Sequence, residues 1–101
     1  MSYSIEKITQ VVSAERYGDT AASISFLLTD SRSLCFPEET LFFALHTDRN
    51  DGHHYIPELY RRGVRNFVVE NVPNNFSDLY KHANFLKVGN TLAAFQQLTT
   101  F

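Results

Sequence analysis

Cysteine is almost absent from this chain: Cys35 stands alone among 101 residues. An internal disulfide framework is therefore excluded, and a reducing cytoplasm is the natural compartment. Positive charge is sparse as well. No run of Lys or Arg exceeds two and the formal net charge is −2, so the basic face that nucleic acid demands is missing. No apolar run approaches the roughly 20 residues that cross a bilayer, and the N-terminus, MSYSIEKITQVVS, lacks the basic-then-apolar order of a signal peptide. Glycine occurs only at Gly18, Gly52, Gly63 and Gly89. No GxxxxGKS or GxxxxGKT loop can be built from glycines so scattered, which excludes a P-loop cradle for ATP phosphates. Internal repeats, low-complexity tracts and linkers are lacking too.

What the chain does have is apolar bulk: 44% hydrophobic residues, with nine Phe and five Tyr. That content supports a packed interior and argues against disorder, and the length fits a single domain over residues 1–101. The chain stops at Phe101 inside a helix-like pattern, LAAFQQLTTF, with no cap. The expectation is a piece of something longer.

Ile5, Ile8, Val11 and Val12 recur at helical spacing behind a capping Ser4, predicting a short first helix that ends before Arg16-Tyr17-Gly18. Ser23 to Leu28 reads as a strand, and Asp30 starts a turn. Leu41 to Leu45 is a continuous apolar run, the mark of a strand buried on both faces in a parallel sheet. Tyr55 to Arg62 is helical: Pro57 falls in the first turn, Arg61 and Arg62 suit the C-terminal end of the dipole, and Gly63 closes it. Phe67 to Val69 is the next strand, so residues 41–69 form a βαβ unit with parallel strands and a right-handed crossover. Beyond it lie a turn at Val72 to Asn75, a short helix within Phe76 to His82 and a strand from Asn84 to Val88. A final helix is capped by Thr91, with Leu92, Phe95 and Leu98 facing the sheet. The sum is an α/β fold with a small, largely parallel or mixed sheet and flanking helices. Phe26, Phe42, Phe43, Phe67, Phe85 and Phe95 are assigned to its core, and Cys35 to a half-buried filling role.

Two polar segments follow the first two of these strands. Asp30-Ser31-Arg32 reads as a turn, since Asp and Ser bond their own backbone at such corners. The tripeptide alone favours the turn; the second reading is a small ligand site, because open α/β sheets bind ligands at the carboxyl ends of their strands. In the second reading Ser31 offers a hydroxyl, and Arg32 either meets phosphate or buttresses the corner through a carboxylate. His46 to Gly52, HTDRNDG, is either a solvated loop turning at Asn50-Asp51-Gly52 or a nucleotide wall with Arg49 and Asn50 as donors. The two segments converge if their strands are neighbours. His46, Asp51, His53 and His54 lack the spacing of metal ligands. Ser31, Asp51 and His53 supply triad residue types, but no nucleophile elbow surrounds Ser31. No catalytic residue and no metal ligand is assigned.

Taken in order, these pieces carry a resemblance: Asp30-Ser31-Arg32, Leu41-Phe42-Phe43-Ala44, Asp51-Gly52-His53, Tyr55-Ile56, then Gly63 ahead of Phe67-Val68-Val69. The set resembles the N-terminal, UDP-binding domain of the Mur ligases, and Val88 to Phe101 looks like the end of that domain. The chain departs from the pattern at Phe36-Pro37-Glu38-Glu39-Thr40, where the family has Gly-Asp, and at Thr47, where it has Gly. The resemblance implies that Thr29 and Ser31, beside Arg32, meet the uridine end of a UDP-N-acetylmuramoyl-peptide, and that Asp48, Arg49 and Asn50 lie in the loop that meets the nucleotide. It implies a cytoplasmic, ATP-dependent, amide-forming parent enzyme of peptidoglycan synthesis. ATP and magnesium would bind its central ATPase domain, with a further C-terminal domain beyond. The pattern is nearer to the D-alanyl-D-alanine-adding members, some of which are fused to an alanine racemase that carries pyridoxal phosphate. By itself this piece would hold substrate, need no cofactor and catalyse nothing. The rivals are a small stand-alone enzyme using Ser31 or a histidine, and an α/β interaction module without nucleotide binding.

Overall fold

Strands β4 (Phe26–Leu28), β5 (Thr40–Phe43), β6 (Asn66–Val69) and β7 (Asn84–Lys87) lie side by side in chain order, and each neighbouring pair is parallel. A further strand, β2 (Glu15–Tyr17), runs antiparallel along the outer edge of β7, so the five-stranded sheet has the order β2-β7-β6-β5-β4. β1 (Tyr3–Ser4) and β3 (Ser23–Ile24) make a separate two-stranded antiparallel patch. The computed structural model from which this architecture is read describes residues 2–46 and 51–100.

Helices cover both faces of the sheet. α1 (Ile5–Val11) and α4 (Thr91–Thr99) pack on one face, against Leu41, Phe43, Val68 and Leu86. α2 (Ile56–Arg61) and α3 (Phe76–Leu79) pack on the other, against Phe42, Phe67, Val69 and Phe85. The alternation is the two-residue period of a strand, and coverage on both sides explains why TLFF and NFVV are buried at every position. Register aligns Leu28, Phe42, Phe67, Phe85 and Tyr17 as one row across all five strands. Its rings touch: Phe42 meets Phe67 edge-on at 6.4 Å between centroids, and Phe67 stacks on Phe85 at 5.2 Å. Each fully buried Phe contributes about 2–3 kcal/mol of burial, with somewhat more from ring contacts. At the amino end of the parallel strands the register partners Asn66 and Asn84 are buried, and their amides bond each other at 2.9 Å.

Several expectations hold. Ser4 caps α1, its side chain accepting from the Lys7 N–H. Pro57 sits in the first turn of α2, and Gly63 after its end takes φ +108. β5 and β6 are parallel neighbours.

Others are corrected. The strand expected over Ser23 to Leu28 is divided: its first part pairs with β1, its second with β5. The segment around Arg16 and Tyr17, given no structure in the sequence reading, is the β2 edge strand, whose pairing partner lies some seventy residues away. The cap of α4 is Asn90, which accepts from the Ala93 N–H, and Thr91 is buried as the first helical residue. That phase turns Thr91, Ala94, Phe95 and Leu98 inward and leaves Leu92 50% exposed. Phe26 is also outside the core, 44% exposed and stacked on Phe36 at 5.3 Å, because β4 is an edge strand. Cys35 is exposed rather than half-buried.

Candidate functional site

The carboxyl ends of β4, β5 and β6 open on the same edge of the sheet, as parallel neighbours must. The chain leaving β4 makes the first corner. Asp30 is extended and caps a 3-10 turn, Ser31–Ser33; its carboxylate accepts from the Arg32 N–H at 3.0 Å, and its carbonyl accepts from the Ser33 N–H. The Arg32 guanidinium folds back on the same carboxylate, with Nε 3.1 Å from Oδ1 and Nη2 2.9 Å from Oδ2. That guanidinium holds Asp30 below the usual carboxylate range, helped by the Arg32 backbone N–H. Beside the turn is an open cleft of about 520 Å³ lined by Thr29, Asp30, Ser31, Arg32 and Tyr55. The Ser31 hydroxyl is half-exposed and has no hydrogen-bond partner among the described residues.

The second corner follows β5. Asp51 caps a second 3-10 turn, Gly52–Tyr55, accepting from the His53 N–H at 3.0 Å; that bond is the main reason its carboxyl lies below the usual range. The His53 ring has its Nε2 3.1 Å from the Glu70 N–H and 3.4 Å from the Asn71 N–H. A backbone N–H can only donate, so Nε2 is the acceptor in this geometry and Nδ1 the donor. Nδ1 donates to Asp51 Oδ1 at 2.6 Å. Glu70 passes the connection on: its carboxylate accepts from both the N–H and the hydroxyl of Thr91, at the start of α4. Gly52 is buried, donates to the Leu45 carbonyl at 2.7 Å, and leaves no room for a Cβ, which would lie 2.8 Å from the Leu45 nitrogen. Asp51 and His53 line a separate cleft of about 510 Å³ with Ile56 and the Asn71–Asn74 segment.

The sheet therefore gathers Thr29, Ser31 and Arg32 around one cleft. It turns Arg32 to Asp30, the buttress among the alternatives read from the sequence. Asp48, Arg49 and Asn50 lie outside the described residues. His46 stands 3.7 Å from Asp51 and pairs with it as an isolated bridge.

Two residues escaped the sequence reading as parts of this site. Tyr55 lines the first cleft; its signal was its place as the aromatic residue that leads into α2. Arg62 donates to the Ser31 carbonyl at 3.0 Å, and no local pattern indicated it. The sequence has no P-loop pattern of glycines, and among the described residues there is no group of three or more His, Cys, Asp or Glu that could hold a metal ion. No helix among the described residues is long and apolar enough to cross a membrane.

No protein-family model matches the chain. A curated relative, the UDP-N-acetylmuramoyl-L-alanyl-D-glutamate--2,6-diaminopimelate ligase of Phocaeicola vulgatus, is 33% identical over 97 residues, which are 95% of this chain and 19% of the relative. Among solved structures, crystal structure I of MurF from Acinetobacter baumannii superposes with a TM-score of 0.79 at 23% identity, over 97% of this chain and 20% of that one. The UDP-N-acetylmuramoylalanyl-D-glutamyl-2,6-diaminopimelate--D-alanyl-D-alanyl ligase from the same organism gives 0.80 at 23%, over 97% and 21%. At that identity the structural likeness speaks for the fold. The chain spans about a fifth of the length of these relatives. The chain is thus similar in sequence, over nearly its whole length, to one UDP-N-acetylmuramoyl-peptide ligase, and in fold to solved structures of another, in keeping with its resemblance to the N-terminal domain of the Mur ligases.

Proposed function

We propose that this domain grips the UDP end of a UDP-N-acetylmuramoyl-peptide on behalf of a cytoplasmic, ATP-dependent, amide-forming ligase of peptidoglycan synthesis. The observation that carries the reading is the cleft at the carboxyl end of β4, lined by Thr29, Asp30, Ser31, Arg32 and Tyr55, where ligands of open α/β sheets bind. The Ser31 hydroxyl can both donate to and accept from a uracil ring amide. Thr29 lines the same cleft. Asp48, Arg49 and Asn50 are proposed to meet the nucleotide from the neighbouring loop. Arg32, closed on Asp30, shapes the corner.

The domain's contribution to the reaction is positional. Binding energy gathered on the nucleotide, far from the reacting carboxylate, orients that carboxylate for chemistry carried out elsewhere. ATP and magnesium belong to a central domain beyond this chain, and pyridoxal phosphate enters only if a racemase is fused to the parent. We take D-alanyl-D-alanine as the added group, from the ordered pattern of Asp30-Ser31-Arg32 through Val69.

Titration of the domain with UDP and with UDP-N-acetylmuramoyl-peptides, followed by amide NMR, tests the reading. Shifts are expected at Thr29–Arg32 and Tyr55. A flat response there at millimolar ligand would reduce the chain to an α/β module with no nucleotide site. For the full-length parent, turnover with D-alanyl-D-alanine but not with diaminopimelate is the expected specificity, and the reverse preference would overturn it.

A further inference from the structure

We infer that Arg62, at the end of α2, is the positioning residue of the Ser31 corner: it fixes the turn that is proposed to meet the uridine. The inference rests on the reading of that corner as a nucleotide site. Three observations carry it.

The first is that the Ser31–Ser33 turn does little to hold its own place. None of its residues is buried; the packing nearest to it is that of Leu34, the residue after the turn, against the core. Its hydrogen bonds run from Arg32 and Ser33 back to Asp30. Bonds confined to four consecutive residues fix the shape of a turn but not its position on the fold.

The second is the exception. Arg62 Nη1 donates to the Ser31 carbonyl at 3.0 Å across 31 residues of sequence. Among the described residues this is the one hydrogen bond that joins the turn to another element. The donor is charged and the acceptor is backbone, so the bond is among the stronger kinds and acts on the main chain of the residue whose side chain is proposed to bind.

The third is what stands behind Arg62. α2 is anchored by Ile56 and Leu59, both essentially inaccessible. Arg62 is its C-cap, and its own backbone N–H bonds to Glu58 and Leu59. The opposite end of the same helix presents Tyr55 to the cleft. One rigid helix thus supplies a wall of the cleft at one end and the tether of the opposing turn at the other. A site is more exact when its loops are held by such an element.

The test compares wild type with Arg62→Ala and Arg62→Lys in the 101-residue chain, with UDP as the probe. Arg62→Ala is expected to speed amide exchange of Arg32 and Ser33 severalfold and to raise the UDP Kd about five- to tenfold, within what one solvent-exposed hydrogen bond contributes. Amide spectra of the sheet should stay unchanged, since Arg62 is exposed. Arg62→Lys, which keeps a charged donor, should recover part of the affinity. Wild-type affinity and exchange in Arg62→Ala would overturn the inference, and so would an affinity loss that Arg62→Lys fails to relieve. Wild-type protein that shows no UDP response is a different failure: it sinks the nucleotide reading, and the positioning role with it.

Discussion

The two corners at the carboxyl edge of the sheet are built from the same device and end up with opposite characters. In each, an aspartate caps a 3-10 turn and accepts from the backbone N–H two residues on. After β4, the carboxylate's other partner is Arg32, from the same turn, whose side chain is 89% exposed. After β5, it is His53, whose ring is 16% exposed and reaches on to the chain leaving β6. The first corner is an exposed cup, tethered by Arg62 at the Ser31 carbonyl, with a hydroxyl unengaged among the described residues. The second is a fastener that joins β5, β6 and, through Glu70 and Thr91, α4. A capped turn is thus neither a site nor a structural joint by nature; the long-range partner decides.

The sharpest way to break the contrast is Gly52→Ala. An added Cβ would stand 2.8–2.9 Å from backbone atoms of Leu45 and Ala44, which have no flexible end to yield. A loss of about 2–3 kcal/mol is expected in urea denaturation. Stability equal to wild type would show that the β5 corner gives more easily than its packing implies.

His53→Ala should come next, at about 1–2 kcal/mol, because it leaves the Glu70 N–H without its partner and takes the ring contact from the Asp51 carboxylate, which keeps the backbone N–H of residue 53. The loss should appear as faster amide exchange at Glu70 and Asn71, while Arg32 and Ser33 stay as in wild type. Spread of the effect to the β4 corner would contradict the separation of the two.

Acid provides a milder comparison. Both aspartates titrate below the ordinary carboxyl value of about 4: Asp51 chiefly through the His53 backbone N–H, and Asp30 chiefly through the Arg32 guanidinium. A folded value below the unfolded one means that the unfolded chain takes up its proton first as pH falls. The stability these groups contribute is whole above the unfolded value and disappears as pH drops through the folded one. Asp51→Asn should therefore flatten the acid limb of the stability profile more than Asp30→Asn, since only Asp51 lies on a path to other elements. Carboxyl NMR midpoints at or above about 4 would refute both assignments.

Ser31→Ala should have the smallest effect on stability, within error of zero, because the hydroxyl it removes is unengaged. If the β4 corner binds uridine, the same variant lowers UDP affinity about fivefold, the worth of one neutral hydrogen bond. Equal binding by wild type and Ser31→Ala would remove Ser31 from the site.

Much of the fold was legible because its signals are local. A two-residue or 3.6-residue period, a cap and a closing glycine are each written within one element. β5, α2 and β6 were read this way, and so was the parallel βαβ unit. The errors fall where a distant partner decides. β2 is a strand because Phe85 to Lys87 lie open beside it. Phe26 is half-exposed because β4 closes the sheet edge. Thr91 turns inward because Glu70 receives both its N–H and its hydroxyl. For the site, Thr29 to Arg32 could be named from the order of motifs, and Tyr55 had the signal of an aromatic residue leading into a helix, whereas Arg62 could not be named, since nothing in its own neighbourhood points to Ser31.

By itself the sequence determined the class of fold, the parallel pairing of the central strands and, through the spacing of short motifs, the family that the chain resembles. Only the tertiary structure decided which polar residues hold the molecule together and which remain available to a ligand. The reason is physical: periodicity and capping act over three or four residues, but the bonds that separate a fastener from a cup, Arg62 to Ser31 and His53 to Glu70, close only when packing of the core brings their elements together.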